Sequence, residues 1–382
     1  MTTTLDDFTA LRDEIETYVR GPAEAWAERI ERERAVPDAV WDELADRGYL
    51  SLTAPEDLGG RGIAFTRYLH LMELFAMSHA AIRMIVHVNN GIWRAMNRFA
   101  TDEQRRRYVR PSVSGKLKIA FTLTEPTAGT GADIRTSVTR DGDTYYLSGE
   151  KHMITFGTIC DYWLLFARLA GTTGSQGTVA LLVPRDVQNA TVVQMPESMG
   201  VRGSDHGQLR FERSPVPIAN RLGEEGQGLD VALGGFLEPS RISVGMSCVG
   251  LARRALELAV DRAKTRMTFG KYLYERQAIA FMVAEMATDI EAARRLVLHA
   301  AGEWENGDSQ SQKLSSMAKM FATSMLQRVT DQSLQIHGGI GYWQPNAIER
   351  VYRDARAQRF EEGTNEIQKT VIAREILKKE RR

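Results

Sequence analysis

The chain carries the segment Arg359-Phe360-Glu361-Glu362-Gly363-Thr364-Asn365-Glu366-Ile367-Gln368 close to its C-terminal end. Two adjacent carboxylates precede a Gly-Thr turn in this segment, and the hydroxyl and amide side chains after the turn are typical of the start of a final helix. Adjacent side chains of an extended or turning segment project in different directions. We therefore expect Glu362 to be buried while Glu361 remains in solvent. Gly363 allows the backbone to come close to a ligand.

The acidic pair is a candidate for proton-transfer chemistry. A carboxylate that is enclosed by an apolar wall and an uncharged ligand binds a proton more tightly than one in water, which makes it a usable base near neutral pH. Glu362 is the candidate for this role. An ordinary acidic loop that caps a helix would contain the same residue types, so this segment alone leaves both interpretations open.

Composition limits the classes of partner. The 382 residues include 49 basic and 49 acidic side chains, so the chain has no charge excess with which to bind a nucleic-acid backbone or an anionic membrane. A polar, acidic start and the lack of a long apolar run predict a cytoplasmic protein without a membrane span. Cys160 and Cys248 are too few and too distant for a disulfide framework, and the histidines lack the spacing of metal ligands.

Hydrophobic periodicity divides the chain into three parts. Residues 1–118 have helical spacing and predict an N-terminal α-helical domain. Residues 119–230 contain short β-branched and aromatic runs and predict a middle antiparallel β domain or barrel, with a hairpin turn at Asp141-Gly142. Residues 231–382 return to helical spacing and predict a C-terminal four-helix bundle. The predicted fold is therefore mostly α with a central β domain.

Three further regions contain groups that suit a planar heterocycle joined to a diphosphate. Ala120–Asp133 is a strand that ends in hydroxyl side chains and continues into a loop of small residues, which offers amides and hydroxyls to such a ring. Gly149–Gly157 is the second region. Arg266–Lys271 with Gln277, followed by the glycine-rich Gln335–Gly341, combines an arginine with open backbone, as a diphosphate requires.

These regions, taken in order with Phe211, Pro217 and Leu222–Gly228, resemble the acyl-CoA dehydrogenase family over nearly the whole chain. The resemblance implies bound FAD and a homotetramer built as a dimer of dimers. It also implies α,β-dehydrogenation of an acyl-CoA thioester. Glu362 would remove the α proton, flavin N5 would accept the β hydride, and an electron-transfer flavoprotein or another acceptor would reoxidise the flavin.

The resemblance also implies roles for individual residues. The contacts to the flavin ring and pyrophosphate would come from Phe121, Leu123, Thr124, Thr130, Met153 and Thr155. Contacts to a neighbouring subunit's FAD and to the adenosine diphosphate part would come from Arg266, Thr268, Phe269, Gln277, Gln335, Gly338 and Gly339. Thr364 and Glu366 would be further cofactor contacts after the base. Substrate contacts would come from Glu238, Arg241 and Gly363, with Arg241 toward the pantetheine or adenine end.

Three positions depart from the family pattern. Met153 stands where tryptophan is common, Gly131 stands where aspartate is common, and Glu361 replaces an aromatic or aliphatic residue. We expect the Glu361 side chain to point away from the pocket, because a second negative charge there would disfavour an apolar acyl chain.

Two alternatives remain open from the sequence. The same fold could act on an acyl or aminoacyl group tethered to a carrier protein, because both carriers present the same phosphopantetheine arm. Flavin oxidases and monooxygenases also share the fold, although Glu362 argues against a monooxygenase, which needs no such base. A cofactor-free helical scaffold is the alternative from another class, and a colourless purified protein would favour it.

Overall fold

The computed structural model describes residues 5–129 and 133–378. The N-terminal part is helical, and its helices are α1 (Leu5–Arg20), α2 (Pro22–Glu33), α3 (Asp38–Asp46), α4 (Phe65–Phe75), α5 (Ala80–Phe99), α6 (Asp102–Gln104) and α7 (Arg110–Val113). A π-helical turn, Arg105–Val109, joins the last two. A reciprocal capping box between Thr101 and Gln104 starts this segment, because each side chain bonds the other residue's backbone N–H.

Helix α5 is enclosed by protein over its first three turns. Residues 80–90 are all buried, and they include Arg83, His87 and Asn90. Buried polar groups need partners inside the protein. The Asn90 amide has three, because its oxygen accepts from the Thr53 amide at 3.1 Å and its nitrogen donates to the carbonyls of Tyr49 and Val86. Helix α5 therefore places polar side chains in the interior of the molecule.

The middle part is a mixed sheet. Its strands are β1 (Ile119–Thr122), β2 (Ser137–Asp141), β3 (Thr144–Thr155), β4 (Tyr162–Leu169), β5 (Thr178–Pro184), β6 (Ala190–Gln194), β7 (His206–Pro217) and β8 (Arg221–Leu222). They lie in the order β6-β7-β3-β2-β4-β5-β8, with β1 paired to β4. Most pairs are antiparallel, as predicted, and the β2–β3 hairpin turns where Asp141 pairs with Thr144.

Two strand pairs differ from the antiparallel prediction. Both β1 and β2 run parallel to β4, because the connections that return to β4 include other elements rather than a tight turn. Strand β2 was not predicted, since its sequence SVTRD is mostly polar and lies half-buried or exposed apart from Val138.

The C-terminal part is dominated by long helices. It contains α8 (Gly228–Ala232), α9 (Glu238–Thr265), the short hairpin of β9 (Met267–Thr268) and β10 (Lys271–Tyr272), α10 (Gln277–Glu305), α11 (Ser311–His337), α12 (Ala347–Ala357) and α13 (Asn365–Leu377). Helices α9, α10, α11 and α13 correspond to the predicted bundle. Helix α12 was missed, because it is rich in charged residues and buries Arg350, Arg353 and Asp354 together with its few apolar side chains.

The N-terminal and C-terminal parts pack closely through α4 and α9. A Cβ at Gly250 would lie 2.0 Å from the carbonyl oxygen of Glu73, so the two helix backbones touch where no side chain fits. The first turn of α9 lies beside α5, where Ser240 is 2.8 Å from His87. Within the described residues, no helix combines the length and apolar character that a membrane crossing requires.

Candidate active site

The segment between α12 and α13 has an unusual backbone path. The Phe360 amide donates to the carbonyl of Ala357 at 2.8 Å as α12 ends. Glu362 then has φ of 54° and Gly363 has φ of 92°. A left-handed conformation is uncommon for glutamate and persists where surrounding contacts impose it. Thr364 caps α13 by accepting from the Ile367 amide at 3.4 Å, as the sequence predicts.

Three side chains hold the carbonyl groups of this segment. Lys319 is fully buried, and its Nζ donates to Gly363 at 2.7 Å and to Arg359 at 3.0 Å. Burial lowers the pKa of Lys319 to about 8. Gln368 donates to the carbonyls of Glu362 and Gly363 at 3.0 Å each, and Arg241 donates to that of Glu362 at 3.3 Å.

The Glu362 carboxylate faces the interior. Its side chain is 15% exposed, and Oε1 accepts a 2.8 Å hydrogen bond from Ser240 in the first turn of α9. Nε2 of His87 lies 2.8 Å from the same hydroxyl and 3.8 Å from Oε1. The Glu362 amide makes no hydrogen bond with any described residue, so it is available to a ligand. Glu362 is therefore an enclosed and oriented carboxylate, as expected.

The expectation that Glu361 remains in solvent is wrong. Its side chain is only 16% exposed and forms a two-point ion pair with Arg83 of α5, at 2.8 and 2.9 Å. Burial by itself would raise the pKa of Glu361, but the Arg83 charge and hydrogen bonds reverse the effect and hold it below its ordinary value. Sequence reasoning failed here because Arg83 lies 278 positions away, so nothing local indicates a buried partner.

A cavity of about 10 Å³, which has room for about one water molecule, lies beside this cluster, between α4, α5 and the start of α9. Phe65, Tyr68 and Phe236 give it aromatic walls, and His87 and Ser240 line it next to Glu362. An apolar pocket with a few oriented polar groups is the usual form of a small-molecule site.

The cavity wall continues to the end of strand β1. The Phe236 ring stacks on that of Phe121 with centroids 4.6 Å apart, and a Cβ at Gly91 would lie 2.9 Å from Phe236. Phe121 is one of the predicted flavin contacts. A continuous series of contacts therefore runs from Glu362 through Ser240 and the cavity to the predicted flavin end of the sheet.

The predicted flavin residues of the sheet lie together at the end of β1. The His152 amide donates to the Thr124 carbonyl at 2.9 Å, which brings Met153 and Thr155 of β3 to this edge. The Thr155 hydroxyl lies 3.3 Å from Nε2 of His206, and the Met153 side chain is 54% exposed at φ of 55°. Leu123 is buried in the core of the sheet. Thr130 and the departure at Gly131 lie outside the described residues.

A buried ion pair stabilises this edge. Nζ of Lys151 donates to the Leu123 carbonyl at 2.9 Å and to Glu125 at 3.0 Å, and Glu125 also accepts from the amides of Arg135 and Thr136. Burial lowers the pKa of Lys151 to about 8. In the sequence, Glu125 and Lys151 are only parts of longer motifs. In the structure, their hydrogen bonds hold the backbone in place after β1.

The predicted adenosine and cross-subunit residues lie elsewhere. Arg266, Gln277, Gln335, Gly338, Gly339 and Glu366 are exposed, and Phe269 at the β9–β10 turn is 98% exposed. Thr268 accepts a hydrogen bond from Arg276 at 2.9 Å. None of these residues contacts Glu362 within the described chain. Of the predicted substrate residues, Glu238 accepts from Ser311, and Arg241 is buried against the Glu362 carbonyl rather than open to solvent.

Sequence reasoning missed four residues of this site, namely Arg83, His87, Ser240 and Lys319. His87 and Arg83 lie on one face of α5 at the i, i+4 spacing, and Ser240 precedes the predicted Arg241. A polar residue on an otherwise apolar helix was the available signal. Among the described residues, no group of three or more His, Cys, Asp or Glu side chains could hold a metal ion.

Comparison with known families explains this arrangement. Three family models match the chain in order: acyl-CoA dehydrogenase N-terminal domain over residues 6–116, middle domain over 120–214 and C-terminal domain over 226–377. The chain therefore belongs to the acyl-CoA dehydrogenase family. It is an oxidoreductase that acts on CH–CH bonds, in a family of flavoproteins.

Individual relatives are similar over almost their whole length. The chain is 35% identical over 354 residues to caffeyl-CoA reductase-Etf complex subunit CarC of Acetobacterium woodii, covering 92% of this chain and 93% of that one. It is 34% identical over 369 residues to an acyl-CoA dehydrogenase of Bacillus subtilis, covering 96% and 97%. The structure of butyryl-CoA dehydrogenase from Megasphaera elsdenii superimposes with a TM-score of 0.92 at 30% identity, covering 99% of this chain and 100% of that one.

Proposed function

We propose that this chain uses FAD to dehydrogenate an acyl-CoA thioester between its α and β carbons, with Glu362 as the general base. The observation that carries the proposal is the hydrogen bond of 2.8 Å from Ser240 to Glu362 at the edge of the cavity that Phe236 joins to Phe121. Ser240, which contacts Glu362, and Phe236, which stacks on Phe121, line the same cavity, and this supports a base and a flavin ring at neighbouring positions.

The residues at the end of β1 fit a flavin ring. The Thr124 hydroxyl makes no hydrogen bond with a described residue, and the exposed Met153 side chain presents apolar surface that a planar ring would cover. FAD, when bound there, supplies a hydride acceptor. Phe121, Leu123, Thr124, Met153 and Thr155 are the proposed contacts of the ring, with Thr364 and Glu366 after the base.

Residues of the chain itself perform the proton transfer and stabilise the negative charge that develops on the substrate. Glu362 takes the α proton, a step that contributes on the order of 10² to 10⁴ in rate. The free Glu362 amide donates to the thioester oxygen and stabilises the negative charge that develops there, by about 3 to 4 kcal/mol for such a donor. Lys319, Gln368 and Arg241 keep that amide in place by binding the carbonyls around it.

Coenzyme A is the favoured carrier. The names of the relatives at 34–35% identity refer to acyl-CoA or caffeyl-CoA, whereas a structure titled as a prolyl acyl carrier protein oxidase is 26% identical. A carrier-protein substrate stays the alternative. Glu238 and Gly363 remain proposed substrate contacts, and Arg241 contributes by orienting the Glu362 backbone.

The proposal extends to assembly and electron transfer. The exposed Phe269, with Arg266, Thr268 and Gln277, is proposed to reach the FAD of a second copy in a homotetramer, where Gln335, Gly338 and Gly339 bind the adenosine diphosphate part. An electron-transfer flavoprotein is the proposed acceptor, supported by the name of the Acetobacterium woodii relative. We also propose a cytoplasmic location and domain boundaries after residues 118 and 230.

Loss of flavin absorbance on mixing with thioesters tests the function. The FAD-loaded protein is mixed anaerobically with acyl-CoA thioesters of different chain length and with the same acyl groups on a carrier protein, and products are identified by mass spectrometry. We expect bleaching near 450 nm (roughly, for oxidised flavin) and a 2,3-enoyl product from CoA thioesters. A protein that binds no FAD, or whose flavin no thioester bleaches, would contradict the proposal.

A further inference from the structure

We propose that Tyr68 and His87 hold one buried water molecule beside the base, and that this water fixes the hydrogen position on His87 that keeps Ser240 bonded to Glu362. The inference rests on the proposed function, because it takes Glu362 as the general base. It adds two positioning residues, one on α4 and one on α5, to the base and its serine.

Two buried polar atoms of the cavity lining lack a hydrogen-bond partner in the described part of the protein. They are the hydroxyl of Tyr68 and Nδ1 of His87. The two residues are only 1% and 4% exposed, so bulk solvent does not reach these atoms. Buried polar atoms are nearly always hydrogen-bonded, either to protein or to an ordered water molecule. We therefore expect a polar ligand at both atoms.

The size of the cavity indicates that this ligand is water. A volume of about 10 Å³ has room for about one water molecule. Buried water molecules occupy polar cavities in which about two to four protein groups bond them. Tyr68 and His87 supply two such groups. Arg94, which also lines the cavity, supplies a third donor in addition to its Nη1 bond of 2.7 Å to the Asn90 carbonyl.

The direction of each hydrogen bond follows from the carboxylate at the end of the chain of groups. A carboxylate only accepts, so the Ser240 hydroxyl gives its single hydrogen to Oε1 of Glu362 at 2.8 Å. Ser240 then accepts from Nε2 of His87, which is 2.8 Å away. Nδ1 of a neutral imidazole with hydrogen on Nε2 is an acceptor and needs a donor. The water donates to Nδ1 and accepts from the Tyr68 hydroxyl.

The charges around the chain favour this direction. Burial raises the pKa of Tyr68 far above its ordinary value, so its hydroxyl keeps the hydrogen that it donates to the water. A second hydrogen on His87 would make a buried cation on the face of α5 that also carries Arg83 and Arg94. Glu362, which lies 3.8 Å from Nε2, attracts hydrogen to that nitrogen rather than to Nδ1.

The water thereby acts on the base through two side chains. The His87 ring packs edge-on against Phe236, with centroids 6.3 Å apart, so its orientation is also restrained. With the hydrogen fixed on Nε2, Ser240 stays bonded to Oε1 of Glu362 and the other oxygen takes the α proton. With the hydrogen on Nδ1 instead, Nε2 would accept from Ser240, and the carboxylate would lose its donor.

The water and the hydrogen position are measured directly in the wild-type holoenzyme. A crystal structure should show one water molecule within hydrogen-bond distance of both the Tyr68 hydroxyl and Nδ1 of His87. Nitrogen NMR of protein with isotope-labelled histidine should show hydrogen on Nε2 alone, with the signal assigned by its loss in His87→Gln. No water at this position, hydrogen on Nδ1, or hydrogen on both nitrogens would overturn the proposal.

The tyrosine variant tests the far end of the chain. Tyr68→Phe keeps the ring and removes one bond of the water. With the thioester that bleaches the flavin fastest, we expect flavin reduction to slow about three- to tenfold at unchanged KM, the range of one hydrogen bond, and the His87 signal to show both hydrogen positions.

A second buried tyrosine is the matched control. Tyr18 is 2% exposed, and its hydroxyl also has no partner among the residues that the structure describes, but it does not line the cavity. Tyr18→Phe should therefore leave the rate and the His87 signal unchanged. Equal effects of the two substitutions, or a Tyr68→Phe enzyme with the rate and signal of the wild type, would contradict the proposal.

Two replacements of the histidine test which ring nitrogen must donate. His87→Gln places an amide nitrogen near the position of Nε2, whereas His87→Asn places one near the position of Nδ1. Because the proposal requires a donor at Nε2, the glutamine variant should keep more than about a third of the wild-type rate, and the asparagine variant should lose about tenfold. Equal rates, or a faster asparagine variant, would overturn it.

The two kinds of measurement separate this inference from the proposed function. If no thioester bleaches the flavin, the proposed function fails, but the water and the Nε2 hydrogen of the wild type would still support the chain of hydrogen bonds. If thioesters bleach the flavin and Nδ1 of His87 carries the hydrogen, only the present inference fails.

Discussion

The hydroxyl of Ser240 donates a hydrogen bond of 2.8 Å to Oε1 of Glu362 and lies 2.8 Å from Nε2 of His87. Serine has a single hydroxyl proton, so while it donates to the carboxylate it can only accept from His87, which must then carry a proton on Nε2. Nδ1 of His87 has no partner among the described residues. The base is thus oriented by a short chain of two side chains from two different helices.

Replacing Ser240 should loosen this orientation. Ser240→Ala removes the donor to the carboxylate, and we expect the rate of flavin reduction to fall about tenfold, as loss of one hydrogen bond to a charged group predicts. FAD content should not change. Ser247→Ala is the control, because that hydroxyl donates only within α9, to the Ser243 carbonyl. A Ser240→Ala enzyme as fast as the wild type in stopped-flow absorbance would exclude an orienting role.

Replacing the base should slow flavin reduction without changing FAD binding. Glu362→Gln keeps the shape of the side chain but cannot accept the α proton, so we expect flavin reduction to slow by on the order of 10² to 10⁴ with fold and FAD content retained. Glu375→Gln, which removes the partner of the exposed Arg374 and Lys378 at the far end of α13, should behave like the wild type. Near-normal turnover by Glu362→Gln would remove this residue from the mechanism.

Removing one member of the Arg83–Glu361 pair should lower the free energy of unfolding more than removing both members. Glu361→Gln leaves the buried Arg83 charge without its partner, and we expect the free energy of unfolding to drop by about 3 to 5 kcal/mol. The double variant Arg83→Met, Glu361→Leu removes both charges and should recover most of the loss. Urea unfolding at one protein concentration and saturating FAD checks both values. A double variant that is destabilised as much as Glu361→Gln, or more, would show that the two charges are not coupled.

The same pair predicts a dependence on acidity. The Arg83 charge holds the pKa of folded Glu361 below its ordinary value of 4.5. Stabilisation from a depressed pKa is complete above the unfolded value and is lost as the pH falls through the folded value. The melting temperature of the wild type should therefore fall more steeply below about pH 4.5 than that of the double variant. Parallel curves in scanning calorimetry would rule this linkage out.

The exposed Phe269 should contribute to assembly. Phe269 is 98% exposed, on a turn at φ of 47°. An apolar side chain so exposed stabilises a protein only when another surface buries it. In the proposed homotetramer, Phe269→Ser should weaken association and lower the FAD retained after gel filtration. Val193→Ser on β6, an exposed apolar residue of the sheet, is the control. Unchanged mass by light scattering together with unchanged FAD content would argue against this contact.

The order of the three parts could be predicted from the sequence, because the period of the apolar pattern is a local property. The α10 stripe of Ile279, Val283, Met286 and Ile290 is regular enough to predict a long helix, and Asp141-Gly142 predicts the turn that precedes β3. Helix α12 and strand β2 were missed, since their sequences are too polar to produce a clear pattern.

The acid that serves as the candidate base was also available from the sequence, as a glutamate before a glycine and a helix cap. The residues that surround this glutamate in the fold could not be predicted from the sequence. The partners of the acidic pair come from positions 83, 87, 240 and 319, which only the packing of α5, α9 and α11 brings together. The direction of Glu361 depended on a buried arginine 278 positions away. Local spacing determines what a segment can form, whereas the burial and pairing of its side chains depend on contacts that exist only in the folded chain.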